Sequence, residues 1–390
     1  MDLDHAIALA SPQAISRLLP NSTPCRPRLP YSASVKKNRT ILFLLLVAVA
    51  DAIPAAGQSP DPATTLLSPA AVAVNAATGV AYAVDPQHSA IQVYNPKTHA
   101  ISSVSVVAAP VALVVNPETN RVYVANAEGA SVSVLDGSSN TAIATIPVGS
   151  NPYAIALDAR LNRIFVARTF SDQVAAIDAA SDKFLALKTG SADAIAVDAH
   201  RGLAYLLGYE DSELKILRSG TDGHTEIFGK VSVGKHPWAM AVDEAAGKLY
   251  VTRSGDAALA IVDEDSRAVN QIAVGRIPCA LAVHSSTGEV FVVNHGDATV
   301  TVIDPRRNLL VATIPVGKRP QAIAIDAKRN RAYVANSHDS TITVIDTATH
   351  RALKALPVSG KPYALDVDAS SGRIFVKAIA AGLQVLEPRN

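Results

Sequence analysis

The chain has 390 residues, with 35 Lys and Arg against 34 Asp and Glu, and 49 % of it is hydrophobic. That balance excludes a polycation or polyanion as a whole, so any basic surface must be local, and broad nucleic-acid binding is unsupported by net charge although a local patch stays open. Its two cysteines, Cys25 and Cys279, exclude a disulfide framework in the main body of the chain, and the absence of a Cys-x-x-Cys-His motif excludes covalent c-type haem.

Residues 1–34 show no apolar period, include the Pro-rich stretch Pro20–Pro30, and read as a disordered leader. One reading starts translation near Val35 through a non-Met codon, so that this leader is not made. Lys36, Lys37 and Arg39 precede the apolar run Ile41–Ala50, and small residues follow it. That is the layout of a secretory signal peptide over residues 35–57, with cleavage expected after Ala50 or Gly57. The run is too short to span a bilayer comfortably, and no Cys follows it to carry a lipid. The expected mature chain, residues 58–390, is therefore periplasmic or secreted and has no transmembrane span.

From residue 70 onward the sequence repeats. Tyr82, Tyr123, Phe165, Tyr205, Tyr250, Phe291, Tyr333 and Phe375 each fall three residues after a Gly or Asn, and successive spacings are 41, 42, 40, 45, 41, 42 and 42 residues. Each repeat holds four short apolar segments of strand length, A to D, separated by polar turns. The segment Thr341–Ile345 alternates strictly and reads as a half-buried strand. The turn between A and B opens with Asn75, Asn116, Asp158, Asp198, Asp243, His284, Asp326 or Asp368, and a Gly or Asn follows four residues later. Such side chains cap turns, and Gly and Asn tolerate the left-handed conformation that closes a hairpin; His284 alone departs from the pattern.

Four antiparallel strands in about 40–45 residues make the blade of a β-propeller. Eight blades follow if every unit is used, and seven if a weak unit is displaced. The aromatics are expected in the core. The last unit stops before a strand D, and Ala63–Leu67 is expected to supply it, closing the ring with no open sheet edge. Unit four lacks the Pro before strand A (Ser191-Ala192-Asp193) and carries a longer connection between C and D, read as drift rather than function.

The segments Tyr123-Val-Ala-Asn126, Tyr250-Val-Thr-Arg253 and Tyr333-Val-Ala-Asn336, with strand D endings such as Thr313-Ile-Pro-Val-Gly317, resemble the YVTN family of propeller repeats, which includes YncE-like exported proteins. The resemblance covers about Ala70 to Pro388, although no copy carries the full signature. It implies a propeller, often outside the cytoplasm, and little about activity.

In a propeller the D–A and B–C connections share the face around the channel mouth. Pro fixes the backbone where strand A begins, so the residue after it recurs at one radius: Tyr153, Trp238, Cys279, Gln321 and Tyr363. Lys235, His236, Arg276, Lys318, Arg319 and Lys361 are expected just outside them. Cations around aromatics suit an anionic ligand, a peptide carboxylate or a single strand of nucleic acid; a solvated loop is the plainer alternative. The B–C connections add His88, His295, His338, Arg168 and Arg253. His236, His295 and His338 are the candidates for a metal, but they lack short ligand spacing, and polar loop filling is the preferred reading. Asp136, Asp178, Asp263, Asp304 and Asp346 close strand C in most repeats and are expected to cap turns. The first functional expectation is a non-enzymatic scaffold without cofactor that binds an unknown protein or an anionic ligand. The alternative is a lactonase- or lyase-type enzyme at the same face.

Overall fold

Every A–B turn in the structure is closed by a left-handed residue. The backbone φ at Gly79, Asn120, Asn162, Gly202, Gly247, Gly288, Asn330 and Gly372 runs from +49° to +80°. The residue that opens the turn holds it from the other side. Asp158 Oδ1 accepts the Leu161 amide at 2.9 Å, and Asn116 Oδ1 accepts that of Glu118 at 3.0 Å. The exception, His284, still caps its turn, because its Nδ1 lies 3.4 Å from the Thr287 amide.

The computed structural model describes residues 71–221 and 224–387, which belong to one compact unit, Ala63–Asn390. The expected leader, the expected signal peptide and the Ala63–Leu67 strand expected to complete the last blade lie outside the described residues. Hairpins linked by these turns form eight antiparallel sheets in simple A-B-C-D order. Seven have four strands, and the eighth has three among the described residues, Lys361–Val367, Ile374–Ile379 and Gly382–Leu386. Strand A of each blade packs beside strand A of the next, and that of blade 8 packs on that of blade 1, Val72–Val74. The ring closes as an eight-bladed β-propeller. Among the described residues no helix is long and apolar enough to cross a membrane.

Strand B is buried throughout, whereas outer strands such as Ile101–Ser105 and Arg351–Pro357 are largely exposed. All eight B-strand aromatics are at most 4 % exposed, and they sit between blades. Tyr205 of blade 4, for example, packs with Leu249 and Val251 of blade 5. Burying such a ring contributes roughly 2–3 kcal/mol, so the period seen in the sequence is the period of the inter-blade core. The strand A residue opposite the aromatic is Ala in six blades, which leaves room for the ring. In blade 8 it is Asp366, opposite Phe375.

The extra length of unit four goes to the outside of the ring. Its outer strand, Thr225–Ser232, carries a half-exposed Phe228 held between the guanidinium groups of Arg218 and Arg267, 4.1 and 4.7 Å from the ring centre. The extension is thus an ordered part of the outer edge.

Candidate functional site at the channel mouth

The D–A and B–C connections meet on one face and hydrogen-bond to each other. The amides of Ala127, Thr169, Ser254, His295 and Ser337 donate to the carbonyls of Ala109, Asn151, His236, Ile277 and Arg319 at 2.9–3.0 Å. Each of these five acceptor residues precedes the strand A proline and is left-handed, with φ between +48° and +54°. A conformation repeated in five blades is a property of the scaffold, so the positive φ of His236 and Arg319 is no functional mark.

The glycine that begins four of the D–A connections has a matching cause. A Cβ on Gly275 or Gly317 would stand 2.6 Å from the side chain of Asn294 or Asn336, at the end of the following strand B. Gly149 and Gly234 are crowded in the same way by Arg168 and Arg253. Asn336 Nδ2 in turn donates to Thr343 at 2.8 Å and Thr341 at 3.1 Å, and Asn294 repeats this with Thr301 and Thr299. The Asn of the Tyr-Val-Ala-Asn segments is therefore a buried tie across the blade.

Many of the expected cations are already engaged. Arg276 Nε is 2.6 Å from Asp297, which also accepts the Arg276 amide at 2.7 Å. Arg253 is paired with Asp256 and donates to Gln271 at 2.8 Å. Arg168 is buried and donates to the Val148 carbonyl, Ser171 and Gln173. Lys318 is exposed, and its backbone amide donates to Asp339, 2.8 Å away. Arg319 is half-buried, while Lys235 and Lys361 are exposed.

The residues that follow the proline are treated differently by each blade. Tyr363 is 5 % exposed and belongs to the core between blades 8 and 1. Cys279 is half-buried beside the Pro320 carbonyl, 3.4 Å from its Sγ, and burial pushes its thiol up to about 12. Gln321 is half-buried next to it. Tyr153 is half-buried, its phenol pushed up by burial and by the nearby charge of Asp193. Trp238 is 38 % exposed.

The histidines are dispersed. His338 bonds to Asp339, His295 to the Pro320 carbonyl, and His88 to Asp85, while His236 stacks on Tyr209. No group of three or more His, Cys, Asp and Glu is placed to hold a metal among the described residues.

One sector departs from the repeat. Blade 4 has Ala192 in place of the proline, and Ser191 before it is not left-handed. Asp193 supplies the acceptor instead, and its Oδ2 takes the Tyr209 amide at 2.9 Å. Tyr209 occupies the position of Thr169 and Ser254 in the neighbouring blades. Its ring stacks on His236 (centroids 4.9 Å apart, 30°) and meets Trp238 edge-on (5.5 Å, 88°). Burial raises the Asp193 carboxyl and the Tyr209 phenol above their ordinary values. Among the described residues no basic side chain pairs with Asp193. The sequence reading placed Tyr153, His236 and Trp238 here but missed Asp193 and Tyr209. The missing proline was the signal that could have found both.

No protein-family model matches the chain, and comparison with curated proteins finds no match. Solved structures do match. The hydrazine synthase structure from Kuenenia stuttgartiensis is 16 % identical with a TM-score of 0.57, covering 74 % of this chain and 99 % of that one. The dihydro-heme d1 dehydrogenase NirN is 14 % identical with a TM-score of 0.68, covering 86 % and 74 %. The propeller domain of Myceliophteria thermophila Cps50 (Swd1) is 10 % identical with a TM-score of 0.57, covering 72 % and 97 %. The likeness is one of fold. At such identity it carries no residue role to this chain.

Proposed function

We propose that this protein is an exported, YVTN-type propeller that acts as a binding scaffold, with its ligand site on the D–A face over blades 3 to 5. One observation carries the reading. On a face where Arg168, Arg253 and Arg276 are held in internal bonds, blades 3 to 5 present Tyr153, Asp193, Tyr209, His236 and Trp238 together. Large amphipathic rings beside a desolvated carboxylate are the usual makings of a ligand contact.

The chain has a single Trp, so its fluorescence reports on this sector alone. Candidate ligands from the native envelope should shift or quench Trp238 emission saturably. Tyr209→Ala should then weaken them by about tenfold or more, the scale of one lost aromatic contact. Gln321→Ala, on the other side of the mouth, should leave affinity unchanged. Equal losses for both variants would refute the placement. Export is tested separately by sequencing the mature N-terminus, which should lie just after Ala50 or Gly57.

A further inference from the structure

The geometry points to the ligand's chemistry: we infer that the mouth over blades 3 to 5 receives an alkylated ammonium group, an inference that rests on the reading of this face as the binding face. Its walls are aromatic and meet at a right angle, since Tyr209 and Trp238 are inclined at 88° with centroids 5.5 Å apart. Trp238 is 38 % exposed, and His236 extends the aromatic surface by stacking on Tyr209. The negative faces of such rings attract a cation that has lost little hydration.

The charge at this corner is acidic. Asp193 is half-buried, is fixed by the Tyr209 amide at 2.9 Å, and has no basic partner among the described residues. Glu210 and Asp211 follow Tyr209 in the same connection, and both push on Asp193 with like charge. Lys215 is held by Asp211 at 2.6 Å and by the Ser191 carbonyl at 3.0 Å. Lys235 is the exposed basic side chain on the adjoining connection. An anion placed against Tyr209 would meet a desolvated carboxylate there, with Arg276 and Arg253 already committed to Asp297 and Asp256. This replaces the anionic ligand expected from the sequence with a cationic one.

A metal ion fits poorly, because hard cations need several converging oxygen ligands and no group of three or more His, Cys, Asp and Glu is so placed among the described residues. A primary ammonium is compact and strongly hydrated. Alkylation lowers that hydration and adds apolar surface matched to the rings, so a quaternary ammonium gains from the walls and the carboxylate together.

The test is a titration of Trp238 emission at constant ionic strength with tetramethylammonium chloride, potassium chloride and neopentyl alcohol, the last being a neutral compound of similar shape. Saturable quenching by tetramethylammonium is expected, with none from potassium and binding weaker by about tenfold or more for the alcohol. Asp193→Asn keeps an oxygen for the Tyr209 amide, so it should retain the wild-type melting temperature and circular dichroism while losing about tenfold in ammonium affinity. Tyr209→Leu should lose affinity without losing the fold. A short peptide bearing trimethyllysine identifies the source of the group. Tighter binding than tetramethylammonium assigns it to a peptide side chain, and weaker binding to a free small molecule. Equal binding of ion and alcohol, or of wild type and Asp193→Asn, would overturn the ammonium assignment and leave the binding face standing. The binding face itself falls only on the Tyr209→Ala and Gln321→Ala comparison.

Discussion

A glycine at the start of the D–A connection looks like an ordinary turn residue, but Gly317 is required for space. Its absent Cβ would lie 2.6 Å from the side chain of Asn336, which ties strand B to Thr341 and Thr343 of strand C. Gly317→Ala should destabilise the fold by ~1–3 kcal/mol, the range for forcing a group into a packed site. Asn336→Ala should cost ~1–3 kcal/mol through the buried Thr hydroxyls it leaves unpaired. Because the two act on one contact, the double variant should lose clearly less than the sum, as measured by urea unfolding. Strict additivity would show that the clash is not the cause. Asn336 could be singled out from sequence because it recurs, but its contact with a glycine in the preceding connection could not.

At the scale of the element, the C–D turns obey a local rule that sequence exposes well. Asp136 Oδ1 accepts the amides of Ser138 and Ser139, and Asp346 Oδ1 those of Ala348 and Thr349, at 2.6–3.2 Å. These bonds to backbone amides hold the carboxyl groups of Asp136, Asp178 and Asp346 below their ordinary value. Asp346→Ala should cost about 1 kcal/mol, whereas Asp346→Asn, whose oxygen accepts the same amides, should recover most of it in the denaturation midpoint. The B–C and D–A connections obey no such local rule. They are paired with each other from about 18–21 residues away, as in Arg276 with Asp297, so the charge state of the mouth was hidden from a reading of single connections.

At the scale of the whole molecule, closure joins blade 8 to blade 1 through a carboxylate. Asp366 Oδ2 accepts the Val74 amide at 2.8 Å in the inter-blade layer, where burial pushes the group up to about 6. Glu264, buried against Tyr205 between blades 4 and 5, is pushed up to about 7, chiefly by burial. Ionising these two costs folding energy above those values, and the cost disappears as pH falls toward their unfolded value near ~4. The C–D turn aspartates act in the opposite sense. Their contribution is complete above ~4 and is lost as pH falls through their depressed folded values. Stability should therefore peak at about pH 4–5, and the melting temperature across pH 3–9 should show that maximum. Asp366→Asn should raise stability at pH 8 by at most ~3 kcal/mol, by about half as much at pH 5, and do little below about pH 4. A melting temperature that climbs steadily to pH 8 would contradict both assignments.

The repeat, its four strands, its turns and its buried aromatics were determined by the sequence alone, because each depends on residues a few positions apart recurring every 40–45 residues. Tertiary structure decided which rim positions reach solvent. Tyr363 and Trp238 both follow the strand A proline, yet one is 5 % exposed and the other 38 %. It also decided that Arg276 and Arg253 are paired with carboxylates and that, among the described residues, Asp193 has no basic partner. The physical reason is common to these cases. Burial and ion pairing are settled between blades and between connections, by neighbours that no local pattern names.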